Sequence, residues 1–309
     1  MTLLQIDSAA RARVQAACHM VNEEIARQRS RARTAWAVIG VAALPALVLW
    51  PQGWRVTIAG SFVLGGWVYQ RARKEVATLY KRVVMQRVVK ALGSDLAYRP
   101  ESSLTRGHWE RMDLFPVRPS SFRSEDEVRG RKANVTYAIH EVRATRREGK
   151  TEKVLFRGFV AQLEFNKHFQ GHTVVVPDRE GRSLPGKLFG DALERSKIGG
   201  KQIVRLENPD FEAQFSVYGT DDQEARYLLT PKMMELIMEA NALQPEQIRL
   251  AFLGNFLYVT VPSHMELADP GLDSTVSPES ALGELATVMQ LAERLVSTLD
   301  LETRIWSRA

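Results

Sequence analysis

From Thr34 to Trp50 the chain reads TAWAVIGVAALPALVLW without a charge, and from Val56 to Gln70 it reads VTIAGSFVLGGWVYQ, again without one. Pro51-Gln52-Gly53 between them is a turn too short for anything but an antiparallel connection. A bilayer span needs about 20 apolar residues and tolerates about 17, so the second run is short unless Arg55 and Arg71 reach outward from its ends. Apolar runs of about 10–14 residues are more often core helices, which makes a buried helical hairpin the competing reading. The aromatic residues weigh against it. Trp36, Trp67 and Tyr69 fall at one end of the two runs and Trp50 and Trp54 at the other, as interfacial belts would be distributed. The expectation is a two-helix transmembrane hairpin over 34–70.

Charge placement sets its orientation. The net charge of +6 and a pI near 9.5 call for an anionic partner. Arg27, Arg29, Arg31, Arg33, Arg71, Arg73 and Lys74 crowd the outer ends of the runs, whereas the turn offers only Arg55. The positive-inside rule then places both termini in the cytoplasm, with the seven basic residues against anionic headgroups. A nucleic-acid partner is disfavoured because the basic residues concentrate beside the spans. Neither run holds an Asp, Glu, Lys or His, so the intramembrane ionisable group of an ion pathway is missing. Gly40, Ala43, Gly60, Ser61, Gly65 and Gly66 allow close helix approach, and Pro45 removes a backbone bond mid-span. A single cysteine, Cys18, excludes an intramolecular disulfide.

Both runs are flanked by amphipathic helix. Over 1–33, after the capping candidates Asp7 and Ser8, Val14, Ala17, Val21 and Ile25 fall near helical spacing among arginines and glutamates, where a signal peptide would place its apolar run. Over 71–93, Val76, Leu79, Tyr80, Val83, Val84, Val88 and Leu92 keep one apolar stripe until Gly93. The two predict an antiparallel stalk of about 30 Å.

The period changes from helical to alternating at Asn134. Asn134 to Thr145 and Thr151 to Phe165 predict a long β-hairpin, and further strands are expected at Thr173–Val176, Gln202–Leu206, Gln214–Tyr218 and Ala225–Leu229. A last hairpin, Ile248–Phe252 and Phe256–Val261, turns at Gly254-Asn255. Helices are expected around Leu188–Arg195 and after Thr230, as N-cap, with Pro231 in first position. Hairpin-joined strands with helices set apart give an α+β class, a mostly antiparallel sheet domain over 94–270. Over 271–309, Ser277 and Pro278 open an amphipathic helix carrying Ala281, Leu285, Val288, Ala292, Leu295 and Leu299, which docks on this chain or on a partner.

Two strings carry a resemblance. Phe165-Asn166-Lys167-His168-Phe169-Gln170-Gly171-His172-Thr173-Val174-Val175-Val176-Pro177 is the first. The second runs Leu206-Glu207-Asn208-Pro209-Asp210-Phe211-Glu212-Ala213-Gln214-Phe215-Ser216-Val217-Tyr218 and continues through Asp222-Gln223-Glu224-Ala225-Arg226-Tyr227-Leu228-Leu229-Thr230-Pro231. With Phe115-Pro116, Asp126, Gly130 and Glu141-Val142 they resemble the bacterial membrane-protein family catalogued as domain of unknown function 3137, over roughly Phe115 to Val261. The resemblance implies a bacterial inner-membrane location and this architecture, with no reaction or ligand attached.

The residues carry little chemistry of their own. His168 and His172 would share a helix face as metal ligands, but Gly171 between them and the following strand favour a surface pair, so no metal site is expected. On a strand, Asp222, Glu224 and Arg226 would share one face, either as a structural ion pair or as an anion or acid/base site, and Asn166 and Lys167 fit either a ligand or a turn. No Gly-rich phosphate loop, nucleophile elbow or HExxH occurs, and no cofactor is expected. The functional expectation is a non-enzymatic, membrane-tethered interaction or scaffold protein facing a cytoplasmic partner. The alternative is a membrane-bound enzyme or ligand sensor that gathers Asn166, Lys167, Glu224 and Arg226 around a cleft.

Overall fold

Helical periodicity rules the first part of the chain and two-residue alternation the rest, and the chain accordingly forms two compact units: 1–94 with 266–284, and 95–265 with 285–309. The computed structural model describes residues 7–49, 53–132, 135–164, 168–177, 197–198, 200–243, 248–263 and 270–281, with 283, 286, 289, 290 and 293.

In the first unit α1 runs Ser8–Leu49. Asp7 starts it, its carboxylate accepting from the backbone N–H of Ala9 at 3.3 Å. The helix passes from its charged part into its apolar part without a break, and Pro45 lies inside it. α2 (Trp54–Tyr80) continues through a π-helical turn, Lys81–Met85, into α3 (Gln86–Leu92). α1 packs antiparallel along this second leg. Val14, Ala17, Cys18, Val21, Ile25 and Ala32 of α1 are buried, as are Ala72, Val76, Tyr80, Val84, Met85, Val88, Val89 and Leu92 of the other leg. The extra residue of the π turn rotates the stripe, so the adjacent pairs Val84-Met85 and Val88-Val89 are both inside. Buried Gln28 sets the register, its amide donating to Glu24 at 2.8 Å and across the pair to Glu75 at 2.9 Å. Residues from the far end of the chain return here. The Asn22 amide clamps Val276, donating to its carbonyl and accepting from its N–H, each at 2.9 Å, and the Arg29 guanidinium donates to the Leu272 carbonyl at 2.8 and 2.5 Å.

The expected pair of membrane-crossing helices needs correction in one respect. Among the described residues, no helix is long and apolar enough to cross a membrane. The uncharged run of α2 spans about 22 Å at a helical rise of 1.5 Å per residue, against a hydrocarbon core of about 30 Å. Pro51-Gln52, and the side chains of 46–50 at the end of α1, lie outside the described residues.

The second unit is a ten-stranded antiparallel sheet in the order β1-β2-β3-β4-β10-β9-β5-β8-β7-β6. Its strands are β1 (Ala97–Glu101), β2 (Ser121–Lys132), β3 (Val135–Glu148), β4 (Thr151–Glu164), β5 (His172–Pro177), β6 (Lys197–Ile198), β7 (Lys201–Val204), β8 (Phe215–Gly219), β9 (Arg249–Leu253) and β10 (Phe256–Pro262). The long hairpin is β3–β4, with Ile139 opposite Ala161. Gly158 of β4 lies where a Cβ would meet the Val261 carbonyl oxygen at 2.2 Å, so only glycine lets β10 pair this closely. A bulge between Glu125 and Val128 interrupts β2 against β3 and leaves Asp126 at φ 51°.

Among the described residues, α4 (Arg106–Met112), α5 (Pro209–Glu212), α6 (Asp222–Leu228) and α7 (Pro231–Leu243) accompany the sheet. α7 begins as read, with the Met233 N–H donating to the Thr230 hydroxyl at 3.3 Å. α6 corrects the strand expected at Ala225–Leu229. Asp221 caps a helix there by accepting from the Glu224 N–H at 3.0 Å, and capping with two acidic residues in the first turn outweighs a brief alternation. The helix expected at Leu188–Arg195 lies outside the described residues. Ser277 caps the C-terminal segment through the Ser280 N–H at 3.1 Å, and residues 278–281, 283, 286, 289, 290 and 293 are helical. In the sheet unit, Glu293 of that segment accepts from Lys132 at 3.2 Å.

The main core of the sheet unit gathers Leu104, Trp109, Met112 and Leu114 from around α4 over Val142, Ala144, Phe156, Val160, Val174, Val176, Ala251 and Tyr258. Trp109 stacks on Phe115 with ring centroids 4.7 Å apart.

Candidate functional site

Water-facing helices keep their large apolar side chains on one buried stripe. The hairpin end of the first unit does not. Trp36, Val38, Val41 and Leu44 of α1, and Val56, Ile58, Phe62, Val63, Leu64 and Trp67 of α2, are all exposed. Where the two helices touch, the fit is close: a Cβ on Gly65 would meet the Trp36 indole at 2.3 Å, and Trp36 meets Phe62 edge-on at 5.8 Å. The hydroxyls turn inward on their own helices. Thr34 donates to the Ser30 carbonyl at 3.0 Å, Thr57 to Gly53 at 3.3 Å and Ser61 to Thr57 at 2.9 Å. Such bonds leave no hydroxyl in need of water.

Basic residues ring the base of this surface, and they are not equivalent. Arg27 pairs with Glu23 and Glu24, Arg29 with Leu272 and Asp273, and Arg71 with Glu75 while lying 5.6 Å from the Trp67 ring. Arg31 and Arg33 are exposed. Just above them, Ser30, Arg31, Thr34, Ala35, Val38 and Ile39 of α1 and Leu64 and Val68 of α2 line an open groove of about 520 Å³.

The sheet unit holds a second polar constellation, which the alternation pattern did not reveal. Ser102 Oγ lies 2.8 Å from Nδ1 of fully buried His140 and accepts from Ser124 Oγ at 2.7 Å. Fully buried Glu127 accepts from the Ser103 N–H at 2.8 Å, and its carboxylate sits 3.7 Å from the same Nδ1. Serine, histidine and glutamate suggest nucleophilic catalysis, but a relay needs its carboxylate and its nucleophile on opposite imidazole nitrogens. Here both address one nitrogen.

The arrangement serves instead to fasten residues 102–115 to the sheet. His172 Nε2 donates to the Met112 carbonyl at 3.1 Å, Arg249 donates to the Leu114 carbonyl at 3.0 Å, and buried Lys201 pairs with Asp113 at 2.6 Å. Burial lowers the His140 pKa to about 4, partly opposed by Glu127, and burial followed by the Lys201 charge lowers that of His172 to about 4. Both are neutral braces near pH 7. Burial alone would raise the Glu127 pKa, but the Ser103 hydrogen bonds and the nearby His140 and Arg129 charges carry it below the usual value. His140 went unread, although a histidine among apolar residues of a strand was the available signal. Glu127 gave no such signal, because the bulge that places it is invisible to alternation.

Of the expected ligand-binding residues, Asn166 and Lys167 lie outside the described residues. Glu224 does not pair with Arg226. Its two carboxylate oxygens accept from the backbone N–H groups of Gln170 and Gly171, at 2.9 and 2.6 Å, which fixes the loop ahead of β5. Arg226, two residues on in a helix rather than a strand, pairs with exposed Asp222 at 2.8 Å. Among the described residues, no group of three His, Cys, Asp or Glu side chains could hold a metal ion.

The chain is similar to the solved structure of the mycobacterial trehalose monomycolate transport factor A, with a TM-score of 0.38 and 14% identity, over 69% of this chain and 93% of that one. No curated protein matches. Residues 154–301 match the family described as protein of unknown function (DUF3137).

Proposed function

We propose that this chain is a membrane-anchored interaction protein: the hairpin end of α1 and α2 inserts into a bilayer as a two-helix anchor, and the sheet unit faces a protein partner on the cytoplasmic side. The observation that carries this is the exposed apolar surface formed by Trp36, Val38, Val41, Leu44, Val56, Ile58, Phe62, Val63, Leu64 and Trp67. A surface of this kind is stable only against lipid or protein. Lipid is favoured by the two aromatic belts, by hydroxyls bonded within their own helices and by basic residues that crowd the outer ends while the turn offers only Arg55. The shortfall of α2 is met by Arg55 and Arg71 reaching toward the headgroups and by local thinning of the bilayer. A non-enzymatic role is supported by the Ser102, His140 and Glu127 geometry and by the full occupation of the Glu224 carboxylate.

The test is topological. With Cys18→Ser as background, single cysteines replace Gln52 and Ser307, and intact cells are treated with a membrane-impermeant thiol reagent. Labelling at 52 alone fits a crossing hairpin with cytoplasmic termini. Labelling at 307 reverses the orientation, and labelling at neither position while the chain stays in the membrane fraction replaces crossing by shallow insertion.

A further inference from the structure

The groove at the base of the hairpin joins two chemistries along one line. Arg31, Ser30 and Thr34 stand with Val68 at its stalk-side end, and Ala35, Val38, Ile39 and Leu64 continue toward the tip. Residues 31 to 39 advance about 12 Å along α1 at 1.5 Å per residue. A cation and the Ser30 hydroxyl at one end, followed by a purely aliphatic channel, match a phospholipid that enters with its headgroup at Arg31 and one acyl chain along Val38, Ile39 and Leu64.

Charge singles out the same end. Arg27, Arg29 and Arg71 already have carboxylate neighbours, whereas among the described residues no carboxylate lies within ion-pair distance of Arg31. In water an exposed arginine needs no partner. Beside an apolar groove at a membrane boundary, a guanidinium attracts a phosphate, to which it can donate two parallel hydrogen bonds. We infer that this groove is a binding site for a single anionic phospholipid, held by Arg31 at the headgroup and by the Val38, Ile39 and Leu64 wall along an acyl chain. This rests on the membrane reading above and adds a defined lipid stoichiometry and headgroup class to it.

The full chain, extracted in a mild detergent with phosphatidylglycerol or phosphatidylcholine, is examined by native mass spectrometry, and the membranes it is extracted from are first tested for retention of the chain after alkaline carbonate washing. Three variants accompany the wild type: Arg31→Gln removes the cation, Val38→Trp fills the groove, and Arg33→Gln removes an exposed arginine outside its lining. The inference expects one phosphatidylglycerol retained per chain and little phosphatidylcholine. Arg31→Gln should weaken retention about fivefold, the effect of one basic residue at an anionic surface, and Val38→Trp should abolish it, with Arg33→Gln unchanged. Equal retention of both lipids, or equal losses in Arg31→Gln and Arg33→Gln, overturns the site, while carbonate-resistant chain shows that the anchor itself still stands. Release of the wild-type chain by carbonate overturns both.

Discussion

The two units spend their apolar residues in opposite ways. Among the described residues of the sheet unit, only Val154 and Tyr227 are large hydrophobic side chains left exposed, whereas the helix-pair unit exposes ten at its hairpin end and Met20 besides. Both are made of regular, hydrogen-bonded backbone, so backbone requirements do not explain the difference. Nor does packing skill, since the stalk end of the same helices buries Val14, Val21, Val76 and Val88 completely. On the proposed membrane reading, what changes along α1 is the surrounding medium. From Ser8 to Arg33 the helix has a charged face and a buried stripe, as water demands, and beyond Thr34 it is apolar on every side. The comparison teaches that exposure in an isolated chain reports the missing solvent as well as the surface.

The largest effect that would sharpen this contrast is a pair of phenylalanine truncations. Phe252→Ala empties a fully buried site in the sheet and should cost about 3–5 kcal/mol of stability, measured by denaturant unfolding of the full chain in detergent. Phe62→Ala, removed from an exposed site, should change unfolding by no more than about 0.5 kcal/mol. Equal costs would mean that the hairpin end is packed against protein.

Next in size is a charge placed in the hairpin. Leu44→Arg or Val63→Arg should disfavour membrane insertion by about 2.5–3.5 kcal/mol, read as chain lost from the membrane fraction while the sheet unit keeps its melting temperature. Val154→Arg, on the exposed face of β4, is the control and should leave membrane association unchanged.

Acid should separate the units again. His172 has a folded pKa of about 4 against 6.5 when free, so its contribution is present above pH 6.5 and is lost as the pH falls from 6.5 toward 4. The loss is on the order of 2 kcal/mol. His140 acts in the same direction and over the same window. Acid should therefore loosen residues 102–115 in the sheet unit first, visible as faster amide exchange at Trp109. His172→Gln should flatten this response, and an unchanged pH profile in that variant would show that other groups carry it.

The smallest effects concern the residues that the sequence marked as a pair. Glu224→Ala frees two backbone donors and should lower stability by about 1.5 kcal/mol. Arg226→Ala breaks only a surface pair with Asp222 and should leave the melting temperature unchanged. The reverse ranking would restore Arg226 to a binding role.

These two residues show what the sequence could and could not convey. Long alternating runs, the Gly254-Asn255 turn and the Thr230-Pro231 helix start are local signals, and each element formed where its residues direct. β1 and β2 escaped because their residues are largely charged or polar, and only pairing with β3 makes strands of them. Ala225 to Leu229 looked like a strand because its alternation was counted and the Asp221 cap was not. The Glu127, His140 and Ser102 brace depends on a bulge and on contacts between distant segments, neither of which has a local pattern. The apolar hairpin was legible as a chemical surface, since every residue on it is named in two uninterrupted runs, and the shortness of the second run was legible with it.

The central claim is that lipid surrounds the hairpin end, and spin-label accessibility tests it most directly. In a Cys18→Ser background, nitroxides at Val41 and Val63 are compared with one at Val154, with the full chain in bilayers of bacterial phospholipid. The account predicts that the two hairpin sites collide readily with dissolved oxygen and hardly with a water-soluble nickel complex, and that Val154 shows the opposite preference. Nickel access at Val41 and Val63 equal to that at Val154 would contradict it, and would assign the exposed apolar surface to water-borne protein contact instead.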